Sequence, residues 1–300
     1  MTYFPRLFST DNAKAAKASG FGYLNAVHYM APHKLAGVGN LCSHASAACI
    51  ALCLGQYSGQ AAMVSDLELG TNPVRDSRKL KAQLFMIDRA NYMNRLARDI
   101  VKLDAQATRE GLKLCVRPNG STDIPFERIS FTIDAKTAKA IRLPHYAGRV
   151  MTLPQLFPAV QFVDYTKNPT RLGKAPANLD LTLSYSAENS VDCVNALLAG
   201  HNVAMVFAGG LPKSFAGFPV IDGDLHDLRH LDAKGGYIVG LSPKGLKAKR
   251  DNSGFVVRWI EQSGRDLSEY WQLLREAAFL RKNDMARAAI DSGKLLVIAG

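Results

Sequence analysis

The chain has 300 residues, 47% of them hydrophobic and 21% charged, so it has apolar side chains for a sizeable core and too few charges for a disordered chain. Its 37 lysines and arginines outnumber its 26 acidic residues, and the net charge of +11 favours an anionic partner such as a nucleic acid or a nucleotide. No stretch approaches the roughly 18 apolar residues of a membrane span, and residues 1–20 lack the pattern of a secretory signal, so we expect no membrane contact and a cytoplasmic location.

The amino-terminal third contains one predicted strand and two predicted helices. Residues 21–30 predict a first strand, and the alanine-rich residues 43–54 predict a short helix. Residues 79–110 carry apolar side chains at intervals of three and four, which predicts one long helix that ends at Gly111.

Short apolar runs, each followed by polar side chains, dominate the chain after Gly111. They predict six further strands, at 112–116, 159–163, 179–183, 202–207, 218–221 and 237–241. A helix is predicted at 187–200. Buried strands that alternate with helices indicate a parallel sheet. The predicted fold class is therefore α/β, a complete or incomplete parallel (β/α) barrel of the TIM type. An open sheet is the alternative, because several crossovers look too short for full helices.

The carboxyl-terminal residues differ from this pattern. Residues 265–292 carry a helical apolar face that includes Trp271, and residues 294–298 predict a short strand. We therefore expect two domains, a barrel-like domain in residues 1–258 and a helical appendage in residues 259–300.

Three cysteines are crowded together, with the spacing C-x6-C-x3-C. On the predicted helix, Cys49 and Cys53 would share one face, and Cys42 would lie in the glycine-rich approach. Three thiolates can hold three irons of a 4Fe–4S cluster and leave the fourth open for S-adenosylmethionine, although the usual spacing for that chemistry is C-x3-C-x2-C. There are two alternatives. The three cysteines could hold zinc together with His44, or they could be buried structural residues that bind no metal.

Polar side chains follow most of the predicted strands, and in a parallel sheet they would meet at one edge. We predict catalytic roles for Asp164, Lys167, Glu188, Asp222 and Asp224. We predict that substrate or cofactor is bound by Arg117, Asn119, Asp123, Ser184, Asn189 and Lys244. Arg171 would add a basic rim suited to phosphate. Asp222 and Asp224 could also hold a divalent metal, although we favour a polar loop there.

Basic side chains form two clusters along the chain. The denser cluster is Lys244, Lys247, Lys249 and Arg250, and the other is Arg75, Arg78, Lys79 and Lys81. Either cluster would be a solvated face or a contact for nucleic acid. We expect the denser one to contribute to salt-dependent binding of DNA or RNA.

A series of short motifs resembles the gene product 88 family of phages and plasmids across residues 12–257. The motifs occur in the order C-x6-C-x3-C-L, R-x-N-G-x-(S/T)-D, F-x-D-Y-T-K-N-P, L-T-x-S-x-S-x-E-N, V-A-x-V-F, V-I-D-G-D-x-x-D-L-R and I-V-G-L-x-x-K-G. Ser43, Ala48 and Val163 depart from the residues expected in these motifs. The resemblance implies a mobile-element protein in a bacterial host, and a family site formed by the motif positions. It implies no particular reaction.

Three hypotheses follow for the function. The first is an iron–sulfur enzyme of the radical S-adenosylmethionine type, with its cluster at the barrel mouth and a nucleotide or nucleic-acid-related substrate. The second is a non-catalytic protein with a structural metal, which binds nucleic acid or interferes with host defence. The third is a metal-dependent hydrolase centred on Asp222 and Asp224.

Overall fold

A parallel sheet with helices packed against it forms the frame of the chain. The computed structural model describes residues 4–11, 13–258, 271–272, 275–276 and 278. The strands are β1 (Phe8–Ser9), β2 (Tyr23–His28), β3 (Lys113–Arg117), β4 (Phe131–Thr132), β5 (Val150–Met151), β6 (Gln161–Thr166), β7 (Leu179–Ser184), β8 (Val203–Ala208), β9 (Ser214–Phe215), β10 (Phe218–Asp222), β11 (Ile238–Leu241) and β12 (Val256–Arg258). The helices are α1 (Ala13–Ala18), α2 (Ala47–Ala51), α3 (Leu54–Tyr57), α4 (Pro73–Ile87), α5 (Arg89–Arg109), α6 (Ala135–Ala140), α7 (Leu153–Leu156), α8 (Ser190–Leu198) and α9 (Gly245–Lys249). Across these ranges, no helix combines the length and the apolar character needed to cross a membrane.

Seven parallel strands follow one another across the sheet in the order β2-β3-β6-β7-β8-β11-β10, and an eighth parallel strand, β12, pairs with β8. An antiparallel strand covers each edge, β1 on β2 and β9 on β10. Every strand predicted from the apolar runs up to residue 241 is present, which confirms the parallel α/β class. The described strands run from β1 at one edge to β9 at the other, and closure into a TIM barrel is not observed among them.

The two faces of the sheet bury different residues, because neighbouring residues of a strand point to opposite faces. Leu114 and Val116 of β3 pack in one apolar core with Phe85 of α4. Cys115, between them in sequence, packs on the other face against Leu228. We call the face that carries Leu114 the outer face and the face that carries Cys115 the inner face.

The predicted long helix is two helices that meet at Asp88. The backbone of Asp88 is not helical (φ −138°, ψ 72°), and its side chain accepts a hydrogen bond from the Asn91 amide. An aspartate in this position caps the first turn of a new helix, which explains the break. The predicted end is confirmed, since Gly111 follows α5 with a left-handed φ of 69°.

The predicted helix of the cysteine segment is also divided. The Ser46 side chain accepts a hydrogen bond from the Cys49 amide at the start of α2. Cys53 then leaves the helical region (ψ 117°) and precedes α3. Cys49 and Cys53 therefore do not share the face of one helix, and this part of the sequence prediction is wrong.

The connection between β10 and β11 crosses the inner face instead of forming an outer helix. Its Leu228 packs against Cys115 and Val163, and its His230 ring lies 4.7 Å from the Tyr23 ring. Lys234 at its end pairs with Asp180 of β7. A strand-to-strand connection of this kind could not be recognised from hydrophobic periodicity, because it contains no regular helix.

Strand β12, which was not predicted, fills a gap at the carboxyl ends of two strands. β8 pairs with β7 at Val203 and Ala204, and it pairs with β12 from Val206 to Ala208. β7 and β8 therefore separate towards their carboxyl ends. This places β12, and Phe255 before it, beside the end of β7.

Residues beyond 258 contribute to the core of the sheet. Trp271 is fully buried, and its ring lies 5.4 Å from that of Tyr185 and 5.7 Å from that of Phe215. It belongs to the apolar core that α8 forms with β8. Most of the predicted appendage, 259–300, including the strand at 294–298, lies outside the described residues.

Replacing Gly120 by alanine should destabilise the fold. A Cβ atom at this position would lie 2.5 Å from the Tyr29 ring and 2.8 Å from Val27, so the end of β2 would have to shift. We expect a loss of about 1–3 kcal/mol in the free energy of unfolding, measured by urea denaturation. Gly20→Ala is the control, because a Cβ atom added there would meet no other atom within 4 Å, and an equal loss in both variants would contradict the steric explanation.

Candidate functional site

The segment that carries the three cysteines lies over the carboxyl ends of the first strands. The Ser121 hydroxyl, which follows β3, donates to the carbonyl oxygen of Met30 at 2.6 Å. The Asp123 amide donates to the Leu41 carbonyl at 3.0 Å. Gly55 approaches so closely that an added Cβ would lie 2.6 Å from the Cβ of Ser121. The cysteine segment and the loop after β3 therefore form one structure.

The three cysteines are free thiols that share one half-buried region. Burial raises the pKa of Cys42 to about 12 and that of Cys53 to about 11, and it also raises the pKa of Cys49. The nearby Cys49 raises the pKa of both other thiols further. All three are therefore protonated at neutral pH, and a metal ion that binds them must displace protons. We call this group the thiol site.

Backbone amides lie close to two of the thiols. The His33 amide donates to Cys42 Sγ at 3.3 Å. The backbone amides of Gly55 and Gln56 lie beside the Cys53 thiol and partly offset the rise of its pKa. Amide donors of this kind stabilise the thiolate form, which is the form that binds metal.

A finished metal site is not present in the described part of the chain. No three histidine, cysteine, aspartate or glutamate side chains there have the arrangement that could hold an ion. His44, the predicted fourth ligand of a zinc site, is exposed, and its Nδ1 lies 3.0 Å from Ser43 Oγ. The three thiols would therefore have to move towards a common ion.

Lys167 is a cation beside the thiol site whose donors are already occupied. Its Nζ donates to the Ser184 carbonyl at 3.0 Å, the Ser184 hydroxyl at 2.9 Å and the Tyr185 carbonyl at 2.8 Å. Burial lowers the pKa of Lys167, and Cys49 raises it. An ammonium group has three N–H bonds, so Lys167 connects the ends of β6 and β7 and offers its charge, rather than a free donor, to the site. The Asn189 side chain also donates to the Ser184 carbonyl, at 3.1 Å.

Three carboxylates surround Arg171 beneath the site. The guanidinium lies 2.8 Å from Asp123, 2.9 Å from Glu127 and 3.3 Å from Asp164. Arg171 is only 2% exposed, so the predicted basic rim for phosphate is wrong. The other Asp123 oxygen accepts from the Lys167 amide at 2.8 Å. The cluster therefore fixes the loop after β3 to the loop after β6.

Asn119 and Asp164 belong to the same buried cluster. The Asn119 side chain donates to Asp164 at 2.6 Å and accepts from the Thr122 hydroxyl at 2.6 Å. Burial raises the pKa of Asp164 to about 7, whereas Arg171 and Asn119 lower it. Asp164 is fully buried, so its described contacts make it a support for the site.

The other predicted site residues lie in three places. Glu188 is exposed beside the thiol site, where its charge raises the pKa of Cys49. Arg117 lies on the inner face, 3.5 Å from Asp227 and with its guanidinium 4.6 Å from the centre of the Tyr165 ring. A separate polar group follows β10 and β11 and contains Asp222, Asp224 and Lys244.

The carboxylates of that separate group are engaged within the protein. Asp224 pairs with Lys244 at 3.0 Å and accepts from the Ser242 amide at 2.8 Å. Asp222 accepts from the Asp224 amide at 2.8 Å. These contacts match the polar loop favoured from the sequence, and they give the hydrolase hypothesis no further support.

The second basic cluster is largely structural and is not a solvated face. Arg75 is 3% exposed and donates to the carbonyls of residues 56, 61, 67 and 70. Lys81 is also buried. The sequence analysis placed Arg75 in a basic cluster but did not predict its structural role, and it missed Glu127, which lies in no recognisable motif. It also missed the contribution of His33, because a backbone amide leaves no trace in residue identity.

The chain matches the model of a known protein family. A family model described as gene product 88 matches residues 6–259. No curated protein and no solved structure matches the chain.

Replacing Arg171 by methionine should cost about 3–5 kcal/mol of unfolding free energy, because three carboxylates would remain buried without their cation. Arg171 opposes the rise in the Asp164 pKa to about 7, so the variant should raise this pKa further. When folding raises the pKa of a carboxyl group, the free energy of unfolding falls as pH increases through the raised pKa. The defect should therefore be larger above pH 7 than below it in urea denaturation.

Arg128→Met is the matched control for this variant. Arg128 also contacts Glu127, at 3.7 Å, but its side chain is 46% exposed. Removing this pair should cost no more than about 1 kcal/mol. If both variants lose the same stability at every pH, the buried cluster is not what holds the two loops together.

Proposed function

Since the chain belongs to the gene product 88 family through residues 6–259, we propose that it is an iron–sulfur protein of a phage or plasmid, with a 4Fe–4S cluster held by Cys42, Cys49 and Cys53. The observation that carries this proposal is the position of the cysteine segment over the carboxyl edge of a parallel sheet, where Cys49 is near enough to Cys42 and Cys53 to raise the pKa of both thiols. Ligand sites of parallel α/β proteins lie at this edge.

The residues around the thiols fit such a group chemically. Thiolates are the usual ligands of iron–sulfur clusters, and hydrogen bonds to the sulfurs help to set the reduction potential of the cluster. The His33 amide supplies such a bond to Cys42, the amides of Gly55 and Gln56 lie beside Cys53, and the cations of Lys167 and Arg78 would offset negative charge. A cluster with three protein ligands would supply an open iron for the radical chemistry of S-adenosylmethionine enzymes. The proposal includes a cytoplasmic location.

The residues next to the thiol site have distinct roles in this proposal. Lys167 holds Ser184 and the end of β7 in position. Glu188, which is exposed, offers a carboxylate to an amino or hydroxyl group of a bound nucleotide-like substrate. Asp123 and Asp164 keep the surrounding loops fixed through Arg171.

Anaerobic reconstitution with ferrous iron and sulfide should test the cluster. We expect a brown protein with about four irons per chain, and serine substitution of Cys42, Cys49 or Cys53 should each lower the bound iron and the visible absorbance. Cys115→Ala is the control, because Cys115 is a fully buried thiol on the inner face, away from the thiol site.

The metal content decides between the proposal and its rival. Stoichiometric zinc that depends on the same cysteines would reject the iron chemistry and support a structural metal. Iron that is retained in all three serine variants would place it elsewhere. Because the thiols are protonated at neutral pH, binding of either metal should tighten as pH rises.

We also propose that nucleic acid or a nucleotide-bearing partner contacts α9. Lys244 and Lys247 are paired with Asp224 and Glu68, whereas Lys249 and Arg250 are exposed. These two exposed cations at the carboxyl end of α9 support this proposal, because phosphate contacts require charges that the protein has not already neutralised.

Replacing both Lys249 and Arg250 by alanine should make the binding of duplex DNA less dependent on salt. Each lost phosphate contact lowers the slope of log affinity against log salt concentration by ~0.9. The slope should be measured by fluorescence anisotropy over a range of salt concentrations. The double variant Lys136→Ala and Lys139→Ala removes two exposed charges from α6 and should leave the slope unchanged. Equal slopes in both double variants would assign the binding to another surface.

A further inference from the structure

Two arginines of α4 contact the cysteine segment in different ways. Arg75 donates to four backbone carbonyls, so it is a structural residue. Arg78, one turn later, is half-buried and donates through Nη1 to the carbonyl of Gly55. Its guanidinium lies 4.8 Å from the centre of the Tyr29 ring, at the carboxyl end of β2. The stacked ring and the Gly55 carbonyl hold Arg78 in one orientation beside Cys53.

The charge of Arg78 is not balanced by a carboxylate. Within the described residues, no aspartate or glutamate oxygen lies within 4.0 Å of its guanidinium nitrogens. Burial lowers the pKa of Arg78, as expected where a cation is partly removed from water. A half-buried cation that lacks a counter-charge costs free energy, and an anion at this position would recover it.

We propose that Arg78 is the anion-binding residue of the thiol site and that it takes a carboxylate or phosphate group of the ligand. A guanidinium held by a ring on its face keeps its edge available for two parallel hydrogen bonds to such a group. The inference deepens the proposed function by naming the ligand class. It rests on that proposal for the position of the site and does not require the metal.

The other cations near the site are less suited to this role. Lys167 uses three donors on Ser184 and Tyr185, and Arg171 is enclosed by carboxylates. Arg78 has one described hydrogen bond from five N–H groups, so it retains donors for a ligand.

Protection of Cys53 from alkylation tests the proposal on the full-length chain without metal. Iodoacetamide, which is uncharged, modifies the thiol, and mass spectrometry measures the rate at Cys53. Pyrophosphate and malonate are the two probes, each compared with chloride at equal ionic strength. We expect saturable protection by at least one probe, and the stronger probe distinguishes a phosphate from a carboxylate ligand.

For each variant, the alkylation rate of Cys53 with the probe is divided by the rate without it. A change in the intrinsic reactivity of Cys53 therefore cancels from the ratio. Arg78→Gln should weaken protection about 10- to 100-fold, as expected for the loss of charge-assisted hydrogen bonds, and Arg78→Lys should weaken it less. Arg89→Gln is the matched control, because Arg89 also lies over a ring, 4.9 Å from the centre of Phe85 on the adjoining helix.

Two results would overturn the inference. Protection no greater than that by chloride would show that the site binds neither anion, and unchanged protection in both Arg78 variants would assign the anion to another residue. Iron content measured on the same variants separates this inference from the cluster. Anion protection that depends on Arg78 in a chain that binds no iron would reject the cluster and retain the anion site.

Discussion

The buried ion cluster around Arg171 is the interaction on which the arrangement of the site depends. One guanidinium connects Asp123 and Glu127, which follow β3, to Asp164 of β6. Without it, the carboxylates would repel one another in a region that excludes water. Because Asp123 also holds the backbone of Lys167, the same cluster sets the position of the cation beside Cys49. The geometry of the thiol site therefore depends on the buried ion pairs of Arg171.

The basic residues of this chain divide into those whose donors are occupied and those whose donors remain available. Arg75 and Lys167 use their N–H groups on protein oxygens and so fix loops. Arg78 retains donors next to the thiols, and Lys249 is exposed on α9. Net charge alone, which first suggested an anionic partner, does not make this distinction. Only the basic residues with available donors are candidates for binding an anionic partner.

Most of the sheet could be predicted from sequence, because a buried parallel strand leaves a continuous apolar run. The breaks at Asp88 and Cys53 could not, since each depends on a local cap or backbone angle within an otherwise helical pattern. The role of Arg171 was also hidden, because a basic residue after a strand looks the same in sequence whether it faces solvent or carboxylates. The grouping of the cysteine segment with Asp123, Lys167 and Glu188 followed from the shared edge of parallel strands.

The position of Trp271 shows that the folded core extends beyond the residues matched by the family model. The family match ends at residue 259, yet the indole of Trp271 occupies the core that β8 and α8 share. A gene fragment cut at the family border would leave an apolar hole lined by Tyr185 and Phe215. Exposed apolar surface of this kind promotes aggregation. A recombinant protein that ends at the border of the family match would therefore lack a side chain of its apolar core.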